Sequence, residues 1–121
     1  MSLLPNCSFR IIGLSEEELS ILEKKYLDGV PYRIGSYHKD RSKKVLRLIL
    51  NESIKSEVLH NLIEEKPDDA THDFFVSVSS CEQTAIVDIP DFLLNLNRDV
   101  GGRICFSYTC TFDPESVNNS V

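Results

Sequence analysis

The sequence predicts an α+β fold: a mostly antiparallel sheet of four to six strands with three helices packed on one face. Three observations carry that expectation. Apolar residues alternate with period two in several short runs, the clearest being Ile104, Phe106, Tyr108, Cys110 and Phe112. Three other segments carry apolar residues at helical spacing. The two kinds of segment interleave, which gathers helices over a sheet rather than building a bundle or a sandwich.

The elements follow in order. Cys7, Phe9 and Ile11 alternate with Ser8, Arg10 and Ile12, a short strand closed by Gly13. Ser15 and Glu18 have the spacing of a capping box, with Leu14 and Leu19 at the staple positions and three glutamates in the first turn. A helix should run from there to about Leu27, burying Leu19, Leu22 and Tyr26. Asp28-Gly29 ends it and Pro31 prevents resumption. Residues Pro31–His38 and Lys44–Leu50 read as a hairpin around Lys39-Asp40-Arg41-Ser42. The second arm is apolar on both sides and belongs inside the sheet. Ile54, Val58, Leu59, Leu62 and Ile63 predict a second helix, capped by Ser53 and followed by Pro67. Asp73–Ser80 is a strand with Phe74, Val76 and Val78 on one face, and Gln83–Val87 should continue it or pair with it. Pro90 opens a third helix on Ile89, Leu93, Leu96 and Val100, which Gly101-Gly102 stops. Arg103–Phe112 follows as the last strand, with Ile104, Phe106 and Tyr108 toward the helices and its Ser/Thr face outward. A ferredoxin-like or split-βαβ variant is the nearest named pattern.

The chain has 121 residues, which suits one domain burying about two-thirds of its surface. A polar tail from about residue 113 should fray. No signal-peptide run and no membrane-length apolar segment is present, so the expected place is the cytoplasm. Cys7, Cys81, Cys105 and Cys110 should then be reduced thiols. No Cys-x-x-Cys pair occurs, and neither a metal nor a cofactor is expected. Phosphate-loop, dinucleotide and nucleophile-elbow motifs are missing too. His38 in the hairpin, or His72 paired with Cys81 or Cys105, are the residues left for a small enzyme. A non-enzymatic protein is the expectation.

Charge supplies the functional lead. Net charge is −6, which disfavours nucleic acid as partner of the whole molecule. Residues 1–30 carry three bases and five acids, residues 31–66 eight and five, residues 67–121 two and nine. The basic group Arg33, Lys39, Arg41, Lys43, Lys44 and Arg47 lies on the hairpin with Tyr32 and Tyr37 interleaved. It can guard an edge strand. It can also contact RNA or a nucleotide, through Arg41, Lys43, Lys44 and Arg47. The acidic group Asp68, Asp69, Asp73, Glu82, Asp88, Asp91 and Asp99 serves solubility or receives a basic protein. The first six of these are the predicted partner-binding residues.

A small acidic α+β chain of this kind resembles bacterial immunity proteins. Its stretch from Asp73-Phe-Phe-Val-Ser-Val through Asp88-Ile-Pro-Asp-Phe-Leu-Leu to Gly102-Arg-Ile-Cys-Phe-Ser-Tyr looks like the ending of a bacterial domain family, some members of which accompany toxin systems. The resemblance implies a protein that binds and inhibits a basic toxin domain. It carries no site residues across. A monomer or a homodimer fits either function.

Overall fold

The computed structural model describes residues 2–3, 5–80 and 86–110. Seven strands and three helices are found among them. They are β1 (Ser2–Leu3), β2 (Asn6–Leu14), α1 (Glu16–Tyr26), β3 (Tyr32–Tyr37), β4 (Asp40–Ile49), α2 (Ser56–Glu65), β5 (Thr71–Ser80), β6 (Ile86–Val87), α3 (Asp91–Val100) and β7 (Arg103–Cys110). Five strands form one sheet in the order β3-β4-β2-β5-β7. All its pairings are antiparallel except β5 with β7. This is the expected α+β class.

Connectivity explains the order. β2, α1 and β3 make one split βαβ unit, with β4 inserted between the strands. β4, α2 and β5 make a second, with β2 inserted. α3 and β7 extend this ferredoxin-like core by one further crossover. All three helices pack on one face, where their apolar side chains join a single core cluster.

The core lies between that face and the helices. Phe9 pairs with Leu48 on one side and Phe74 on the other, and Ile11 pairs with Leu46. These side chains are fully buried, and Leu22, Leu59, Leu62 and Leu93 close over them from the helices. The Phe9 and Phe74 rings meet edge to face at 5.3 Å.

Helix ends follow local chemistry where the sequence offers it. Glu18 donates its amide to the Ser15 hydroxyl, and the Ser15 amide donates to the Glu18 carboxylate, so the capping box is formed. The other two starts differ from expectation. α2 begins at Ser56 after Lys55, not at Ser53. Asn51 accepts the Ser53 amide and closes a turn there first. Pro90 stands just before α3 with an extended ψ of 144°, so it precedes the first helical residue. Gly101 and Gly102 end α3 as expected, with φ of 76° and 111°. At Gly102 a Cβ would also crowd the His72 ring at 3.2 Å, which adds to the strain of the positive φ.

Three strand boundaries also move. β2 passes through Gly13 at φ 99°, with a register shift that delivers Leu14 to the core. The hairpin turns at His38-Lys39, ahead of the expected turn centred on Asp40-Arg41. Asp40 accepts both the amide and the hydroxyl of Ser42, and the ladder slips between Ser36 and Tyr37 to take up the extra residues. Ile86–Val87 pairs in parallel with Ser2–Leu3 rather than with β5. Cys81, Glu82, residues 83–85 and the tail from 111 onward lie outside the described residues.

β7 turns Ile104 and Phe106 to the helix face, opposite Phe74 and Val76, as alternation predicts. The helices do not reach far enough to cover that edge: Phe106 stays 53% exposed. Among the described residues no helix is long and apolar enough to cross a membrane.

Candidate anion-binding face

Among the described residues the other face of the sheet carries no helix, and one row of side chains spans it. Arg33 pairs with Arg47, Arg47 with Arg10, Arg10 with Asp73, and Asp73 with Arg103. Each of the five strands thus contributes one charged residue to a single rung, four arginines and one aspartate. Alternation puts all five on the face away from the core because Phe9, Leu46, Leu48, Phe74 and Ile104 occupy the neighbouring positions.

The row is held rigid at its centre. Arg10 Nε donates to Asp73 Oδ1 at 2.8 Å and Nη2 to Oδ2 at 2.6 Å, a bidentate fork. That contact and the nearby carboxylate charge raise the Arg10 pKa against the opposing effect of burial. The Cys105 thiol donates to Asp73 Oδ2 at 3.4 Å. Phe75 lies beside the row, its ring centroid 4.3 Å from the Arg10 guanidinium carbon and 5.2 Å from that of Arg47. The two planar cations thus rest against an aromatic surface. Arg33, Arg47 and Arg103 form no ion pair among the described residues.

A cavity of about 460 Å³ opens over this row. Ile12 and Val45 help line it, with Arg10, Arg33, Arg47, Arg103 and Asp73, and Tyr37, His38 and Lys39 come in from the hairpin turn. Asp73 is only 3% exposed and its oxygens are engaged, so five cations surround a cavity with one neutralised acid.

Charge is divided by layer. The three helices contain nine acids and three bases, net −6. The five strands of the sheet contain two acids and seven bases, net +5. A protein that is acidic as a whole therefore presents a basic sheet face.

The residues predicted from sequence are distributed differently from one another. Arg47 stands in the row. Lys44 pairs with Leu14 and Ser36 on the core-side rung, and Lys43 lies near enough to Glu18 and Asp40 to help lower both carboxyl pKa values. Arg41 is exposed beside the hairpin turn. Asp73 is spent on Arg10 and offers a partner nothing. Asp68 and Asp69 form the exposed turn before β5, whereas Asp88 and Asp91 flank the start of α3 beyond the other end of β5. Ten residues of strand separate the two pairs, about 30 Å, so they make two patches and not one. Glu82 lies outside the described residues. Arg10 and Arg103 were not in the predicted set. Their position opposite core residues is readable from alternation, but the register that aligns five strands is not.

The imidazoles assemble no catalytic pair with Cys105. His72 is on the core face, with its ring 5.7 Å from Phe9, and Cys105 is on the opposite face. His38 sits exposed in the hairpin turn against Tyr37. Cys7 and Cys105 are free thiols, and burial raises the Cys7 pKa. Among the described residues no cluster of three metal-ligating side chains occurs.

His72 supports a pH prediction. Burial, with Lys66 nearby, lowers its pKa from the usual 6.5, and Asp73 opposes this only in part. A lowered folded pKa means the unfolded chain takes up the proton first. The stabilisation is therefore complete above about pH 6.5 and falls away as pH drops toward the folded value. The urea midpoint should fall between pH 7.5 and 5.5 in the natural protein, and His72→Gln should flatten that slope. An equal slope in the variant would assign the pH dependence elsewhere.

No family model and no curated protein matches the chain. Among solved structures it is similar to a protein described as a PII-like signaling protein, from Thermus thermophilus. The identity is 18% and the TM-score 0.34, over 63% of this chain and 87% of that one.

Proposed function

We propose that the protein is a non-enzymatic binding domain that holds a phosphate-bearing anion on its open sheet face. The observation that carries this reading is the rung Arg33–Arg47–Arg10–Asp73–Arg103 beneath a cavity. Guanidinium groups suit phosphate because their forked donors match two of its oxygens. The Arg10–Asp73 pair and the Phe75 ring preorganise the row, which lowers the ordering cost of binding. This belongs to the RNA- or nucleotide-binding class, but of the expected contacts Arg41, Lys43, Lys44 and Arg47 it keeps only Arg47 and adds Arg10, Arg33 and Arg103 from the sheet.

Titration with inorganic pyrophosphate, followed by backbone amide NMR, tests it. Shifts should concentrate at residues 10, 33, 47 and 103 and weaken as salt rises. Arg33→Ala and Arg103→Ala should each lower affinity about tenfold, the loss of one charge-assisted hydrogen bond. Scattered shifts, or affinity unchanged in both variants, would sink the proposal.

The helix layer favours a second reading, an immunity-type inhibitor whose acidic side receives a basic toxin domain. Its surface would be Asp68 and Asp69 with the adjoining helix acids. Asp68→Lys combined with Asp69→Lys should then weaken capture of a toxin encoded by a neighbouring gene. Capture unaffected by that double reversal in low salt counts against it.

A further inference from the structure

A second cavity, of about 640 Å³, adjoins the first on the same face. The two share Arg33 and Arg47. Beyond those arginines the surroundings change character. Pro5, Ile49, Leu50, Pro90 and Phe92 supply apolar walls at the end of the sheet where β2 begins, and the exposed Glu52 is the one acid of the lining. Asn6 and Ser77, paired across β2 and β5, also line it, and their side chains make no hydrogen bond among the described residues. An inorganic anion would have no use for this second compartment.

We propose that the ligand is a nucleotide, with its phosphates on the arginine row and its base in the cavity between Ile49 and Phe92. The inference rests on the anion-binding reading and extends it to a ligand class. Arg10 lies four positions along β2 from Asn6, about 13 Å. A nucleoside triphosphate spans that distance. Apolar walls accept the flat faces of a base, and an Asn amide offers one donor and one acceptor to its edge. Arg33 and Arg47, common to both cavities, stand where the ribose joins the first phosphate.

A single nucleotide suits the surface better than a long strand. The exposed acids Asp68 and Asp69 bound the face at one end and Asp88 and Asp91 at the other. An extended polyanion would run from the arginine row into like charge, whereas a mononucleotide ends within the two cavities.

Calorimetric titration of the full chain at low salt tests this, using four nucleoside triphosphates, inorganic tripolyphosphate, adenosine and a six-nucleotide RNA. At least one triphosphate should bind tenfold or more tighter than tripolyphosphate and than adenosine. Ser77→Trp, which fills the apolar cavity from the solvent side of β5, should weaken that triphosphate about tenfold and leave tripolyphosphate unchanged. Arg103→Ala should weaken both, and thermal unfolding checks that each variant remains folded. Equal binding of triphosphates and tripolyphosphate, untouched by Ser77→Trp, would overturn the nucleotide and leave the anion site standing. Binding of neither would remove the anion site as well. Tighter binding of the RNA than of every mononucleotide would overturn the single-nucleotide ligand.

Discussion

Phe9→Ala should destabilise the protein by about 3–5 kcal/mol, the range for emptying a buried aromatic site. Phe9 is 0% exposed on the central strand, β2. It pairs with Leu48 and Phe74, and its ring also meets His72. Neighbours on both flanking strands are held by ladder hydrogen bonds, so they cannot move in to fill the space. The loss therefore includes both the transfer of the ring and the cavity it leaves. Equilibrium urea unfolding measures it, read as a fall in midpoint at unchanged slope. Phe9→Leu should recover part of the loss, because it refills much of the volume. A cost below about 1 kcal/mol for Phe9→Ala would show that the sheet relaxes around the gap.

Arg10→Met should cost about 3 kcal/mol, for a different reason. The Arg10 and Asp73 side chains are 20% and 5% exposed, and their fork is the one ion pair on the open face among the described residues. Removing the cation leaves a buried carboxylate with only the Cys105 thiol as side-chain donor. The penalty is mainly that uncompensated charge, not the lost attraction. Removing both partners, as Arg10→Met with Asp73→Leu, should restore most of the stability, since neither residue is then buried with an unmet charge. The double variant should still bind pyrophosphate more weakly than the natural chain, because the row has lost a guanidinium. That combination separates the structural role of the pair from its role in the cavity. A double variant as unstable as Arg10→Met alone would contradict the account.

Both predictions reach beyond what one strand reveals. Alternation in Cys7–Ile12 already places Phe9 inward and Arg10 outward, and the same rule sorts Phe74 from Asp73. Nothing in either segment says that Phe9 faces Phe74, or that Arg10 faces Asp73. Those pairings join residues more than sixty positions apart. Read along the chain, the basic residues cluster at positions 33–47 and the acids after 67. Folding redistributes them, bringing Arg10 and Arg103 to Arg33 and Arg47 while directing Lys43 and Lys44 elsewhere. Reading along the chain thus finds the basic region and one member of the row, Arg47, but not the residues of the other strands that complete it.

By itself the sequence determined the α+β class, the three helices, the Ser15–Glu18 cap and the two-sided alternation of β2, β5 and β7. These depend on periodicity and on contacts within a few residues, which are written locally. Only the tertiary structure decided the strand order, the alignment of five charged residues on one rung and the division of charge between helix and sheet layers. Strand register is set by packing between distant segments, and a shift of one residue would turn every side chain to the opposite face. The net −6 is a property of composition; the basic face within it is a property of the register.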